Sequence, residues 1–193
     1  MTDAEPSRPR LRADARRSID TLLTAAAEVF AESGVDAPVR QITARAGVGA
    51  GTLYRHFPQR SDLIAAVFRH EVDACADTAP ALAAEHEPVE ALRLWLLRFT
   101  HFIATKRGLS AALHSGDPAY DSLPAYFQLR LLPALEGLLG TAAEAGRIRT
   151  DIDPEDLLRA VGNLTLPAQD DAGHTTRMLS LLIDGLRYGS GAA

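Results

Sequence analysis

The chain has 193 residues, 47% hydrophobic and 23% charged, with a formal net charge of -5. Those proportions belong to an ordinary globular chain of one or two small domains and exclude a disordered or fibrous one. A single cysteine, Cys75, excludes an internal disulfide and a cysteine-built zinc cluster, and no apolar run approaches the roughly 20 residues that span a bilayer.

The net charge hides an asymmetry. Residues 1–70 carry ten Arg against eight acids, whereas residues 71–193 carry nine Arg and one Lys against seventeen. A weakly basic module on an acidic body is the implied arrangement. Arg8, Arg10, Arg12, Arg16 and Arg17 lie within ten residues that hold one acid, Asp14. Residues 1–17 therefore read as a flexible Arg-rich arm, either a solubilising tail or an arm that touches phosphates. No apolar stretch follows those charges, so the segment is not a signal peptide and a cytoplasmic location is expected.

In chain order, Ile19, Leu22, Leu23, Ala26, Val29 and Phe30 recur at spacings of three and four and predict a helix over 18–33 that stops at Gly34. Pro38 opens a short helix to Ala46 with Val39 and Ile42 inward. After Gly47 a second short helix places Leu53 and Phe57 inward and leaves Thr52, Tyr54, Arg55 and His56 on its other sides. Pro58 ends it, and Ser61 with Asp62 begins a longer helix carrying Leu63, Ile64, Val67 and Phe68. Two short helices joined by a tight glycine turn describe a helix-turn-helix, whose second helix can enter the major groove of duplex DNA.

The remainder lacks the alternating runs of strands and reads as all-α. Pro80 and Pro88 bracket a polar connection. Residues 89–106 form a helix that is apolar almost all round and hence buried. His114–Pro124 is a loop, residues 123–145 form a helix that Pro133 either breaks or kinks, and Asp153-Pro154-Glu155-Asp156 marks the start of another. A last helix carries Thr175, Leu179, Leu182 and Leu186.

The string Ala46-Gly47-Val48, then Gly51-Thr52-Leu53-Tyr54, then His56-Phe57-Pro58, followed by Asp62-Leu63, resembles the DNA-binding module of TetR-type transcriptional regulators over Ser18 to about Phe68. The resemblance implies that Arg40 and Thr52 reach bases or phosphates and that Tyr54 and His56 hold the DNA backbone. For the rest of the chain it implies a variable all-α body that dimerises and encloses a small-molecule pocket. Gly49 and Ala50 depart from the Ser and Lys common in that family, and Pro38 from a hydroxyl residue. Arg40, Arg45, Arg55 and Arg60 are the cations available to compensate.

Phosphate contacts supply affinity, and a few donors and acceptors at base edges supply specificity. Gly51 permits close backbone approach, Thr52 offers a hydroxyl and a methyl, and Arg55 can fork to guanine O6 and N7. The candidate DNA-binding residues are Arg40, Gly51, Thr52, Tyr54, Arg55, His56 and Arg60. In the body, Ala91, Trp95, Phe99, Phe102 and Lys106 share one helix face. It is either core or the wall of a pocket for a planar or anionic ligand, and Trp95, Phe99, Phe102, His114 and Tyr126 are the candidate ligand residues. His101 and Tyr120 are further possible donors.

An enzyme finds little support. The six histidines are scattered, and neither a Gly-x-Ser-x-Gly elbow nor a Gly-x-x-x-x-Gly-Lys loop occurs. A helical scaffold would not need the groove-facing string at 51–56. The expectation is an all-α chain with an Arg-rich arm over 1–17, a three-helix helix-turn-helix DNA-binding domain over 18–60 and a helical ligand-binding and dimerisation domain over 61–193. Its partners would be double-stranded operator DNA with an inverted repeat, an unidentified small molecule and a second copy of the chain. The copies would pair around Leu158, Val161, Leu179, Leu182 and Leu186. No cofactor, metal or membrane is expected.

Overall fold

The structure, a computed structural model, describes residues 8–165 and 172–188, with side chains from Arg17 onward in the first helix and from Gly173 in the last. The described residues form ten α-helices and one 3-10 turn, with no strand. None of these helices is long and apolar enough to cross a membrane.

The chain divides into two compact units. One holds the described residues through His70 together with Gly108–Asp121. The other holds Glu71–Arg107 and the described residues from Ser122 onward. The division differs from the expected boundary at residue 60: it falls inside a helix, α4, because that helix contributes apolar side chains to both cores.

In the first unit, α1 (Arg8–Ser33) buries Leu22, Leu23, Ala26, Val29 and Phe30, the stripe that its periodicity predicts. It starts ten residues earlier than expected. Residues 8–17 are therefore the opening turns of a helix rather than part of a flexible arm, since their many Arg are good helix formers with no breaker beyond Pro9. Residues 1–7, the rest of the expected arm, lie outside the described residues.

Helix α2 (Val39–Ala46) packs on α1 through Ile42 and Thr43, and α3 (Ala50–His56) packs on α2 and is anchored by Leu53. Between them Gly47 adopts φ 67°, and the Val48 and Gly47 amides donate to the carbonyls of Thr43 and Ala44 at 3.0 and 3.3 Å. This closure satisfies the end of α2 and reverses the chain in three residues, and the left-handed backbone makes glycine the fitting residue. Helix α4 (Arg60–Ala76) opens with the Asp62 carboxylate accepting from the Gln59 amide at 2.9 Å.

In the second unit, α5 (Ala79–Glu85) occupies the stretch expected as a polar connection. Alanines and a proline in the first turn suffice for two turns once they pack on a neighbour. Helix α6 (Pro88–Gly108) is buried along Leu92, Trp95, Leu96, Phe99 and Phe102. Its last residue, Gly108, belongs to the first unit, followed there by α7 (Ser110–Leu113) and a 3-10 turn at Pro118–Tyr120. Helix α8 (Leu123–Glu144) runs through Pro133 without a break. Helix α9 (Pro154–Leu164) starts as its sequence dictates, the Asp153 carboxylate accepting from the Asp156 amide at 2.9 Å.

The last helix, α10 (Ala172–Arg187), corrects the expected dimer seam. Leu158, Val161, Leu179 and Leu186 are buried within their own chain, and Leu182 is half-buried. Exposed instead are Leu181 on α10, by 66%, and Tyr188 just past its end, by 85%. Four leucine-type residues at helical spacing mark a buried face, and the pattern is the same whether the neighbour is intramolecular or a second copy.

Among the described glycines Gly108 is the one closely approached: a Cβ there would lie 2.4 Å from the carbonyl oxygen of Phe30 and 3.0 Å from the Cα of Ala31. Both are main-chain atoms of α1, so the clash cannot be relieved by a rotamer change. Gly108→Ala should therefore destabilise the protein by about 1–3 kcal/mol despite alanine's better helix propensity, measured by urea unfolding. Unchanged or raised stability would show that this approach is loose.

Candidate nucleic-acid interface

The α2–turn–α3 segment buries one face through Ile42, Thr43 and Leu53 and exposes the other. Arg40 on α2 and Gly51, Tyr54, Arg55 and His56 on α3 are all exposed, Tyr54 by 54% of its surface, and Thr52 is half-buried in the first turn of α3. Five of the seven sequence-predicted residues are thus gathered on a helix of seven residues. A tyrosine more than half exposed is the unusual member of that set.

Packing within the protein does not require glycine at the start of α3, as it does not at Gly137, Gly140, Gly162 and Gly185. A Cβ on Gly49 would meet nothing within 4 Å, and one on Gly51 would meet only the tip of Arg55 at 4.0 Å.

The four cations divide cleanly. Arg40 and Arg55 have no carboxylate partner among the described residues. Arg45 is held in a fork by Glu32, with both N–H···O distances 2.8 Å, and lies 3.7 Å from Glu28. The Arg45 guanidinium holds the Glu32 carboxyl below the usual carboxylate range, and Glu32 in turn raises Arg45.

Arg60 corrects the sequence expectation of a phosphate ligand. Its Nε donates to the Val35 carbonyl at 2.5 Å, its terminal nitrogen donates to the carbonyls of Val35 and Ala37, and the guanidinium lies over the Phe30 ring at 5.7 Å. A planar fork of five donors suits two adjacent carbonyls as well as it suits a phosphate, which is why composition alone misassigned it. The tie between Arg45 and Glu32 was also missed, because thirteen residues separate them and no periodic signal links residues on two different helices.

The structure brings Trp95, Phe99 and Phe102 together in the second unit. The Trp95 and Phe99 rings are parallel to within 1° at 6.0 Å, and Phe127 of α8 closes on Phe99 and Phe102 at 6.2 and 5.8 Å. Trp95 is fully buried, and its indole N–H donates to the Cys75 carbonyl at 3.0 Å, so it has no polar atom left to offer. Tyr126 donates to the Asp73 carboxylate at 2.7 Å. His114 belongs to the first unit, where its ring lies beside the Ser110 carbonyl at 2.8 Å. Burial pushes the Cys75 thiol up to about 12, which leaves it a neutral core residue. No group of three or more potential metal ligands occurs among the described residues.

A two-helix reading head on a helical body defines the class of a transcriptional regulator rather than an enzyme. Residues 22–67 match the bacterial regulatory proteins of the tetR family, and residues 87–188 match the C-terminal domain of SbtR-like transcriptional regulators. The chain is 40% identical to the TetR transcriptional regulator SCO0520 from Streptomyces coelicolor, with a TM-score of 0.77 over 87% of this chain and 97% of that one. It is 34% identical to a TetR transcription regulatory protein from Mycobacterium vanbaalenii, with a TM-score of 0.71 over 92% and 99%. An HTH-type transcriptional repressor from Mycobacterium tuberculosis is 27% identical, covering 84% of this chain and 87% of that protein. The chain belongs to the tetR family of bacterial regulatory proteins.

Removal of Arg60 separates its structural role from a DNA role. Arg60→Ala should cost roughly 1.5–3 kcal/mol of stability, because two buried carbonyl acceptors lose a charged donor. The salt dependence of DNA binding, measured on the folded fraction, should keep its slope. A slope lower by about 0.9 with stability unchanged would return Arg60 to the phosphate ligands.

Proposed function

We propose that this protein is a homodimeric repressor that reads an inverted-repeat operator through α3 and leaves it when a small molecule binds the second unit. The observation that carries the reading is the face of α3: an exposed tyrosine beside an exposed arginine that has no carboxylate partner among the described residues. A helical scaffold has no use for that combination. Repression, rather than activation, follows the similarity to the mycobacterial repressor, and a protein acting on operator DNA works in the cytoplasm.

The residues take different parts. Arg55 forks to a guanine edge, and Thr52 reads a neighbouring base through its hydroxyl and methyl. Tyr54, His56 and Arg40 donate to phosphates, which sets register without carrying sequence. Gly49 and Gly51 let the DNA backbone come against the start of α3. One short reading helix per chain requires two chains about 34–36 Å apart to cover two half-sites.

Leu181, exposed on α10, and Tyr188 just past its end support pairing with a second copy. Effector control uses α4, whose residues through His70 belong to the reading unit and whose later residues belong to the effector unit. A ligand that prefers one of two arrangements shifts their populations by that preference and no more.

Tyr54 and Arg55 are neighbours and should fail in different ways. Tyr54→Phe should weaken binding to all operator variants about equally, whereas Arg55→Ala should relax preference at one base pair per half-site, at a cost of about 1–3 kcal/mol. Selection from a random duplex library checks both, and the reverse pattern would overturn the assignment.

Leu181→Arg should convert the dimer to monomer in sedimentation equilibrium and weaken operator binding with it. A dimer that persists at micromolar concentration would place the interface elsewhere.

A further inference from the structure

Lys106 is the only lysine in the chain. It stands in the last turn of α6, where a cation ordinarily reaches into solvent and complements the helix terminus. Its neighbour Arg107 is exposed and donates to the Thr165 carbonyl at 2.5 Å. Lys106 is different. It is half-buried, its ammonium lies 5.6 Å from the centre of the Phe127 ring, and no carboxylate among the described residues pairs with it. Acids outnumber bases seventeen to ten in residues 71–193, and among the described residues none of them is paired with Lys106.

The surroundings are apolar. The file of rings Trp95, Phe99, Phe102 ends on Phe127, and the two half-buried members at that end are Phe127 and Lys106. Burial alone pushes the Lys106 ammonium below its ordinary range. A cation–π contact returns only part of what desolvating an ammonium costs, which leaves the charge under-compensated in the free protein. By contrast, a groove of about 450 Å³ between α4, α5 and α8 has Arg130 on its wall, but that guanidinium is already bound to Asp73 and Asp77 at 2.7 and 2.5 Å.

We propose that Lys106 and Phe127 receive the anionic end of an apolar monoanionic effector, its carboxylate on the Lys106 ammonium and its hydrocarbon or aryl body against Phe127. The inference rests on the reading of the second unit as the effector unit and names the chemistry that unit selects. One ammonium matches one negative charge, and a ring face matches an uncharged body. The ligand supplies a carboxylate that no described residue supplies, in a setting where a charge-assisted hydrogen bond is stronger than in water.

A single lysine makes the test direct, because isotopically labelled lysine gives one side-chain signal that needs no assignment. Naphthoate and octanoate, each against its neutral amide, are titrated into the full-length protein. Naphthoate should move the Lys106 signal saturably and raise its ammonium pKa, while naphthamide binds about tenfold more weakly. In Lys106→Met, followed by calorimetry, acid and amide should bind within about twofold of each other. Equal binding of acid and amide to the native protein, acid binding unchanged in Lys106→Met, or a Lys106 signal that neither acid moves would each overturn the proposal. Operator binding by the native protein, measured on the same preparation, separates the two readings. Operator binding with an unmoved Lys106 sinks the effector site alone, and naphthoate at Lys106 without operator binding supports the anion site while sinking the regulator.

Discussion

The first unit depends on what is gathered at Phe30. Its side chain is fully buried, its ring lies beneath the Arg60 guanidinium, and its carbonyl accepts the Gly34 amide that ends α1 at 2.9 Å. The same carbonyl faces Gly108, where no side chain larger than hydrogen fits. One residue therefore joins the end of α1, the start of α4 and the end of α6. Arg60 extends the junction by holding the carbonyls of Val35 and Ala37, which otherwise would be left at the turn into α2 without donors. The position of α2, and through it of α3, is set from behind by these contacts. The reading face can then consist of residues that carry no structural duty.

That separation explains which part of the site was legible in sequence. Leu53, Gly47 and the stripe on α1 follow from period and turn chemistry, because burial and backbone conformation leave periodic or local marks. The exposed set on α3 follows by subtraction, since whatever the buried face does not use is left for a partner. Tyr54, Arg55 and His56 were legible in this way. The duties of the arginines were not. Arg40, Arg45, Arg55 and Arg60 are alike in composition, and only long-range geometry tells that two of them stand free while Glu32 and two main-chain carbonyls occupy the others. The same limit applies to the leucines of α9 and α10, whose spacing shows that they are buried and cannot show by whom.

Boundaries suffered for a related reason. A helix shared by two cores has no composition break to mark where one ends, so the division inside α4 leaves no trace near residue 60. The start of α1 was missed because a run of arginines reads as a solvated tail, although arginine is also among the better helix formers. In α8 the proline at position 133 reads in sequence as either a break or a kink. It removes one amide donor, yet the helix continues through it, with Leu131 and Leu135 fully buried on either side.

The second unit gives the effector a place to act. Tyr126 and Arg130 of α8 both grip α4, through Asp73 at 2.7 Å and, for Arg130, Asp77 at 2.5 Å. Phe127 stands next to Tyr126 in the same turn of the helix. Burial and the hydrogen bond to Asp73 both raise the Tyr126 phenol above its ordinary range, so it stays a donor throughout neutral pH. A body pressed against Phe127 therefore loads the turn of α8 whose two polar side chains hold Asp73 and Asp77. Interfaces of this kind have discrete arrangements rather than a continuum, because displacing Arg130 breaks two ion pairs together. Under the proposed effector site, a ligand that favours one seating of α8 on α4 acts on the helix whose residues through His70 belong to the first unit.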